Sequence, residues 1–187
     1  DLPGSNILGH GEKVVIPSRA LNELQRLLAS GEEASLCLAG DRATFTVGQA
    51  TLSTSLLQIE FPNYRQLIQP NYPNSLTTAR EPLLEAIRRC RILARETTPV
   101  RLEMTATSLK LIVVTQDVGN TVEELDATMV GSDITVGFNP EYLAAGIEAV
   151  SGDEITIQTT DPIKPAVLRG VGAPDYLYLV MPQRLTN

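Results

Sequence analysis

The chain has 187 residues, of which 43% are hydrophobic and 20% are charged, and its formal net charge is −7. This balance is typical of a folded globular protein and excludes a disordered chain. The sequence holds no apolar run as long as a membrane helix, and two cysteines are too few for a disulfide framework or a thiolate zinc site. Cys37 and Cys90 both lie in apolar patterns, so we expect buried free thiols in a reducing cytoplasm.

The negative charge is distributed unevenly along the chain. Residues 1–119 contain twelve basic and twelve acidic side chains, whereas residues 120–187 contain three and ten. Five arginines fall within residues 80–95. Exposed charges are screened beyond roughly 8–10 Å, so one basic face on an acidic protein still attracts a phosphate backbone. The net charge alone therefore does not exclude DNA as a partner.

The first predicted module is a strand, a helix and a second strand within residues 13–38. Ser18 is the predicted N-cap of its helix, and Gly31 is suited to a left-handed C-cap. Leucines at helical spacing give this helix one apolar face. Arg19 and Arg26 lie off that face and are expected to be more exposed.

The second predicted module begins with a capping box, Thr78-x-x-Glu81, which opens a helix that runs to about Glu96. Alternating patterns predict strands at residues 100–104, 109–114 and 122–130. The apolar stripe of the helix leaves Arg88, Arg89 and Arg95 outside it. Ile92 also falls outside the stripe, and no pattern in the sequence accounts for it.

A third module at residues 134–158 repeats the order of the first, with Asn139 as the predicted helix cap and Pro140 in the first turn. The motifs SGEE, from residue 30, and SGDE, from residue 151, mark the repeat. A repeat whose motifs begin as far apart as residues 30 and 151 indicates duplicated domains or half-domains rather than a solenoid. Residues 71–187 then form one complete unit, and residues 1–70 form only the second half of another. We therefore expect the chain to begin inside a domain.

Catalytic chemistry is not indicated by any pattern in the sequence. His10 lies in a glycine-rich segment that resembles a linker, and no nucleophile or carboxylate is patterned around it. Glu123, Glu124 and Asp126 could suggest a metal, but their spacing fits the solvent face or edge of a strand better. We predict a protein that is not an enzyme and that uses no metal and no cofactor.

Two stretches, residues 60–65 (EFPNYR) and 178–185 (YLVMPQRL), resemble the bacterial β sliding clamp, the ring-shaped processivity factor of replicative DNA polymerase. Residues 15–17 (VIP), 137–143 (GFNPEYL) and 160–162 (TDP) support the resemblance, which runs in order from about residue 13 to residue 185. It implies an α+β DNA-clamp fold of β-α-β-β-β half-domain repeats, with the helices on one face of antiparallel sheets. Residues 1–70 then correspond to the C-terminal half of the second clamp domain, and residues 71–187 to the third.

The resemblance also implies partners. They are duplex DNA bound without sequence preference, polymerase and other clamp-binding proteins that use linear motifs, a clamp loader, and a second subunit in a homodimeric ring of the full-length, cytoplasmic protein. The arginines off the apolar stripes would face the DNA: Arg19, Arg26, Arg88, Arg89 and Arg95. Alternatively, these arginines are merely solvated or pair with Glu85 and Glu96.

A groove for partner peptides is the second implied surface. The positions that match the family's groove are Pro62, Leu67, Asn139, Tyr142, Ile163, Pro165, Leu179, Met181, Pro182 and Arg184. Gln183 stands where the family commonly has a second methionine, and Thr186 and Asn187 extend past the usual end. Without the resemblance, the tail would be interpreted as an edge strand packed on its own core.

The alternative function is a small-molecule-binding or enzymatic α+β domain whose site lies near Asp161, Lys164 and Tyr142. A thermal-shift screen with nucleotides and metabolites would distinguish this alternative from a clamp.

Overall fold

The computed structural model describes residues 14–30, 33–94, 98–116 and 118–185, and of Ser30, Pro174 and Asp175 it describes the backbone only. The predictions for His10, Gly31, Arg95, Glu96 and residues 186–187 lie outside this part of the chain. The chain divides into two compact units, Asp1–Asn63 and Tyr64–Asn187. This division precedes the predicted boundary at residues 70 and 71. The assignment of the units to particular clamp domains stays a prediction.

The first unit contains one helix and a three-stranded antiparallel sheet. Its elements are α1 (Ser18–Leu27), a short 3-10 helix (Leu28–Ser30), β1 (Ala34–Ala39), β2 (Arg42–Val47) and β3 (Ala50–Ser55), with the sheet order β1-β2-β3. The predicted Ser18 cap is wrong, because Pro17 holds the N-cap position and no side chain caps the helix. The predicted strand before the helix is also wrong, since residues 14–17 form no strand.

Burial in the first unit is uneven. The middle strand β2 buries Ala43, Phe45 and Val47, whereas every residue of β1 is exposed. Cys37 lies in β1 and is exposed, so the prediction of a buried thiol is wrong at this position. The reason is that β1 is an edge strand that the described residues of this unit leave exposed on both faces.

The second unit contains two helices and a nine-stranded antiparallel sheet. A 3-10 helix (Tyr64–Leu67) precedes β4 (Asn74–Ala79), α2 (Arg80–Leu93), β5 (Val100–Met104), β6 (Ser108–Thr115), β7 (Gly119–Val130), β8 (Ile134–Phe138), α3 (Pro140–Glu148), β9 (Glu154–Thr159), β10 (Ala166–Gly170), β11 (Ala173–Val180) and β12 (Pro182–Gln183). The sheet order is β11-β10-β9-β4-β7-β6-β5-β8-β12. The strands predicted at residues 100–104, 109–114 and 122–130 are confirmed.

The two halves of this unit exchange strands. The first half is β4-α2-β5-β6-β7, and the second half begins β8-α3-β9-β10-β11. Each opening strand pairs with the other half, because β4 lies beside β9 and β8 lies beside β5. The predicted α+β class and the β-α-β-β-β repeat are confirmed, and the exchange explains why neither half would bury its own core alone.

The predicted capping box of α2 is wrong. Thr78 belongs to β4, and its hydroxyl donates to the carbonyl oxygen of Asp126 at 2.8 Å instead of capping the helix. The helix begins at Arg80 and ends at Leu93, earlier than predicted. Its end is fixed by tertiary structure, since the Thr115 hydroxyl donates to the Leu93 carbonyl oxygen at 2.7 Å.

The caps of α3 are partly as predicted. Asn139 holds the N-cap position, with its side-chain oxygen 2.8 Å from the backbone nitrogen of Glu141, and Pro140 occupies the first turn. The SGDE motif, like SGEE in the first module, predicts a glycine C-cap for this helix; that prediction is wrong, because the helix ends at Glu148 with Ala149 still in a right-handed conformation. Gly152 has a φ of 99°, but it lies in the turn before β9.

The core lies between the two helices and the sheet. Leu83 and Ile87 of α2 and Leu143 and Ile147 of α3 are fully buried in it. Cys90 is also buried, as predicted, and burial raises the pKa of its thiol to about 11. Ile92 is 82% exposed on α2, and the packing of this unit does not explain it. Among the helices that the structure describes, none is long and apolar enough to cross a membrane.

Candidate functional site

The exposed side chains of α2 and α3, together with the carboxylate of β7 that binds α2, are called the helix face below. Arg88 of α2 lies on it, half-exposed, and donates from Nη2 to Oε1 of Glu148 at 2.9 Å. Glu148 is the last residue of α3, where the helix dipole disfavours a negative charge. The Arg88 guanidinium therefore offsets that repulsion and ties the two helices together.

Arg89 makes the most extensive contact on the helix face. Its Nε and Nη2 each donate to one carboxylate oxygen of Glu123 in β7, at 2.9 Å, and Glu85 lies 3.9 Å from Nη1. The hydrogen bond to Glu123 raises the pKa of Arg89, and the same bond lowers the pKa of Glu123. Both groups are therefore charged at neutral pH, in the two-pronged geometry that favours an arginine and a carboxylate.

Arg91 is a third arginine on α2 that sequence reasoning left out of the DNA-facing set. Its guanidinium binds both carboxylate oxygens of Glu141 in the first turn of α3, with 2.9 Å between Nε and Oε1. The two helices together carry four arginines and four glutamates. Ion pairing was the alternative role predicted for these arginines. Glu85 does pair with Arg89, but the closer carboxylate partners lie on β7 and α3.

The arginines of the first unit are more exposed. Arg26 pairs with Glu23 one turn away, at 2.8 Å, and its side chain is 76% exposed. Arg19 is exposed in the first turn of α1. Arg95, the last arginine of the predicted set, lies outside the described residues.

The C-terminal segment joins the two ends of the sheet. Leu179 and Val180 pair with β10 at one end, and Pro182 and Gln183 pair with β8 at the other. Met181 lies between the two pairings and is 57% exposed. The tail is therefore part of the sheet, as the alternative interpretation required, and it also presents Met181 to solvent.

Close packing positions the tail against α3 and β8. A Cβ added at Gly146 of α3 would lie 2.4 Å from the ring of Tyr178, so only glycine permits this approach. Burial, and then the nearby Tyr142, raise the pKa of Tyr178. At the other end, a Cβ at Gly137 would lie 2.6 Å from Leu185. The exposed ring of Tyr142 is thereby brought beside the tail.

The remaining predicted groove positions differ in exposure. Ile163 is 74% exposed at the tip of a loop, where the Asp161 carboxylate accepts hydrogen bonds from the backbone N–H groups of Ile163 and Lys164 at 3.0 and 2.9 Å. These bonds lower the pKa of Asp161. Leu67 and Arg184 are exposed, Pro182 is partly buried and Pro165 is buried. Pro62 is exposed in the first unit.

Gln183, which stands where the family commonly has a second methionine, is partly buried. It pairs with Gly137 in the sheet, and its side-chain Oε1 is buried without a hydrogen-bond partner among the described residues. A buried acceptor of this kind is an energetic cost. Sequence reasoning did not foresee it, because the burial arises from the pairing of β12 with β8.

Asn139, one of the predicted groove residues, is the N-cap of α3, and its contribution to stability can be measured. Replacing it with alanine removes the α3 cap, so we expect the free energy of unfolding to fall by about 1 kcal/mol. Asn139→Asp keeps an accepting oxygen and should retain most of that stability. Urea unfolding followed by circular dichroism measures both variants, and equal losses in the two would contradict the cap.

Comparisons with known proteins place these features in a family context. A family model described as "DNA polymerase III beta subunit, C-terminal domain" matches residues 65–184. The beta sliding clamp of Synechococcus elongatus is 34% identical over 180 residues, which cover 93% of this chain and 48% of that protein. The beta sliding clamp of Streptomyces coelicolor is 31% identical over 184 residues, covering 92% and 49%. The chain thus spans about half the length of the curated relatives it matches.

Solved structures agree with this family. Caulobacter crescentus pol III beta superposes with a TM-score of 0.82 at 26% identity, over 92% of this chain and 47% of that one. A DnaN sliding clamp from Bartonella birtlesii bound to griselimycin superposes with a TM-score of 0.83 at 28% identity, with the same coverage.

Proposed function

The chain belongs to the DNA polymerase III beta-subunit family, and we propose that it forms the C-terminal part of a DNA sliding clamp. In this role it encircles duplex DNA with the rest of its ring and tethers polymerase by binding, without catalysing a reaction. The match of the family model over residues 65–184 is the observation that carries the proposal. The strand-exchanged halves, with both helices on one face of the sheet, support it.

The division into two units supports a proposal for the domain arrangement. We propose that the second unit is the third clamp domain and that the first unit is the latter half of the second domain. The exposed apolar residues of the first unit support this, because Leu21 in α1 and Leu36 in β1 are 44% and 47% exposed. Apolar surface on a helix and an edge strand of one unit needs cover from further elements. The preceding half of the domain would supply it, and a second subunit and a clamp loader complete the proposed assembly.

We propose that DNA is met by the helix face of the second unit and, separately, by α1 of the first unit. Arginines that contact phosphates carry little sequence information, which suits a protein that slides. Arg88 and Arg89 are half-exposed, and the Arg88–Glu148 pair lies at the surface, where ion pairs are weak. Arg88 can therefore reach a phosphate at small cost, and the exposed part of Arg89 can approach one as well.

The proposed peptide groove is centred on Met181. Its flexible thioether suits a pocket that accepts the apolar anchors of different partners. The exposed side chains of Tyr142 and Ile163 extend the apolar surface within the same unit. Asp161, a candidate of the alternative function, is engaged by two backbone N–H groups of its own loop, which is a structural role.

Primer extension tests the proposed function. A subunit that contains this chain, loaded on a long primed template, should increase the product length that a bacterial replicative polymerase makes in one binding event. The control is the same subunit without the loader. Products of equal length with and without the loaded subunit would contradict the clamp.

The double substitution Arg88→Gln and Arg89→Gln tests the helix face. We expect weaker binding to duplex DNA and a shallower dependence on salt, by up to about two in the slope of log K against log salt, since each phosphate contact contributes about 0.9. Binding measured by fluorescence anisotropy at several salt concentrations gives that slope. The charge-matched control is Arg101→Gln with Lys110→Gln, which alternate with buried residues in β5 and β6 and so lie on the opposite face of the sheet. Equal slopes in the two double variants would contradict the assignment.

A further inference from the structure

We propose that Glu123, Glu141 and Glu148 are built-in counter-anions that compete with DNA phosphates for the arginines of the helix face. The inference rests on the proposed function and adds a regulatory element to it. The clamp's own carboxylates would limit how strongly the helix face holds DNA, and removing them would strengthen that hold.

The contacts on the helix face carry this proposal. Arg88 is bound by Glu148 at 2.9 Å, and Arg89 is bound by both oxygens of Glu123 at 2.9 Å. Glu141 binds Arg91 through two nitrogens. The carboxylates come from α3 and β7 rather than from neighbouring turns of α2. Two elements of the fold, α3 and β7, thus supply the carboxylates that pair with three arginines of α2.

The charge distribution points to the same conclusion. The two helices carry equal numbers of arginines and glutamates, so their formal net charge is zero. The acidic excess of residues 120–187 supplies all three carboxylates. Part of the negative charge of the chain therefore lies on the surface that is proposed to meet DNA. Acidic residues on the outer face of the sheet would make the protein equally soluble, so solubility does not explain this placement.

Competition follows from the chemistry of the groups. A carboxylate and a phosphate oxygen bind the same guanidinium nitrogens, so a phosphate has to displace the glutamate. The Arg88–Glu148 pair is about half-exposed on both sides and is weak enough to open, whereas Glu123 is only 23% exposed and holds Arg89 through two hydrogen bonds, so it opens less readily. A displaced glutamate then repels the nearby phosphates. Each DNA contact on this face is consequently weak and brief, as a ring that moves along DNA requires.

The experiment compares two pairs of carboxylates in the 187-residue chain. Glu123→Gln with Glu148→Gln removes two charges from the helix face, and glutamine keeps an oxygen that accepts a hydrogen bond from arginine. Glu124→Gln with Asp126→Asn removes two charges from the opposite face of the sheet, because alternation in β7 directs these side chains away from the core. Anisotropy of a labelled duplex of about 20 base pairs at low salt reports the affinity. Thermal unfolding checks that both variants are folded.

We expect the helix-face variant to bind the duplex roughly two- to fivefold more tightly for each carboxylate removed, and the control to change much less. The gain should disappear when Arg88→Gln and Arg89→Gln are added. Equal gains in both carboxylate variants would overturn the proposal in favour of a general charge effect. Weaker binding in the arginine variant with no gain in the helix-face variant would overturn it and leave the proposed function intact. No change in any variant would contradict both.

Discussion

Replacing Met181 with alanine in a subunit that contains this chain should weaken the binding of a clamp-binding peptide about 30-fold or more. Met181 is 57% exposed at the junction of β11 and β12, where the sheet pairing on both sides fixes its backbone. An apolar anchor at the centre of a peptide site commonly contributes 2 kcal/mol or more, which corresponds to about this factor. Leu67→Ala should also weaken binding strongly, and isothermal titration calorimetry measures both.

The control for this prediction is Val114→Ala. Val114 is 67% exposed, but it lies in β6 on the opposite sheet face from the helices, so its loss should leave peptide affinity unchanged. Unchanged affinity in both Met181→Ala and Leu67→Ala would refute the position of the groove. A loss of similar size in Val114→Ala would indicate a general effect on folding instead.

Replacing Phe138 with alanine should lower the free energy of unfolding of the second unit by about 3–5 kcal/mol. Phe138 is fully buried in the core and lies in β8 between Val100 of β5 and Pro182 of β12. The substitution removes the largest fully buried side chain of the chain's described part and leaves a cavity where the tail is anchored. We therefore expect peptide affinity to fall together with stability.

Urea unfolding followed by circular dichroism measures the stability of Phe138→Ala. Ile92→Ala is the matched control, because it removes an aliphatic side chain that is 82% exposed and should change stability by less than about 0.5 kcal/mol. A loss below about 1 kcal/mol in Phe138→Ala would contradict the packing described for β8.

The order of strands and helices could be predicted from the sequence because apolar periodicity is local. The strands β5, β6 and β7 lie where alternation predicts them, and Asn139 caps α3 as its residue type suggests. The predicted cap at Thr78 is wrong because the Thr78 hydroxyl donates a hydrogen bond to the carbonyl oxygen of Asp126 across the sheet instead. Hydrogen bonds between such distant residues are not visible in a local pattern.

The residues of the candidate sites could be predicted less completely from the sequence than the order of strands and helices. Alternation alone would have made the tail an ordinary edge strand, and only the resemblance indicated a groove around Met181. The partners of Arg88 and Arg89 were missed, because Glu148 and Glu123 are far away in sequence and are brought close by the folding of α3 and β7. Exposure of Arg88 and Arg89 was predictable from their place off the apolar stripe, but the particular carboxylates that pair with them were not.

The pairing of the tail with both ends of the sheet has a consequence for synthesis on the ribosome. The hydrogen bonds of β12 to β8 join residues far apart in sequence, and they form only after residue 183 has emerged. Until then, β8 lacks its outer neighbour and presents an open edge to other nascent chains, and β10 is left open in the same way until β11 has emerged. Closure of this unit is therefore a late event in its folding during synthesis.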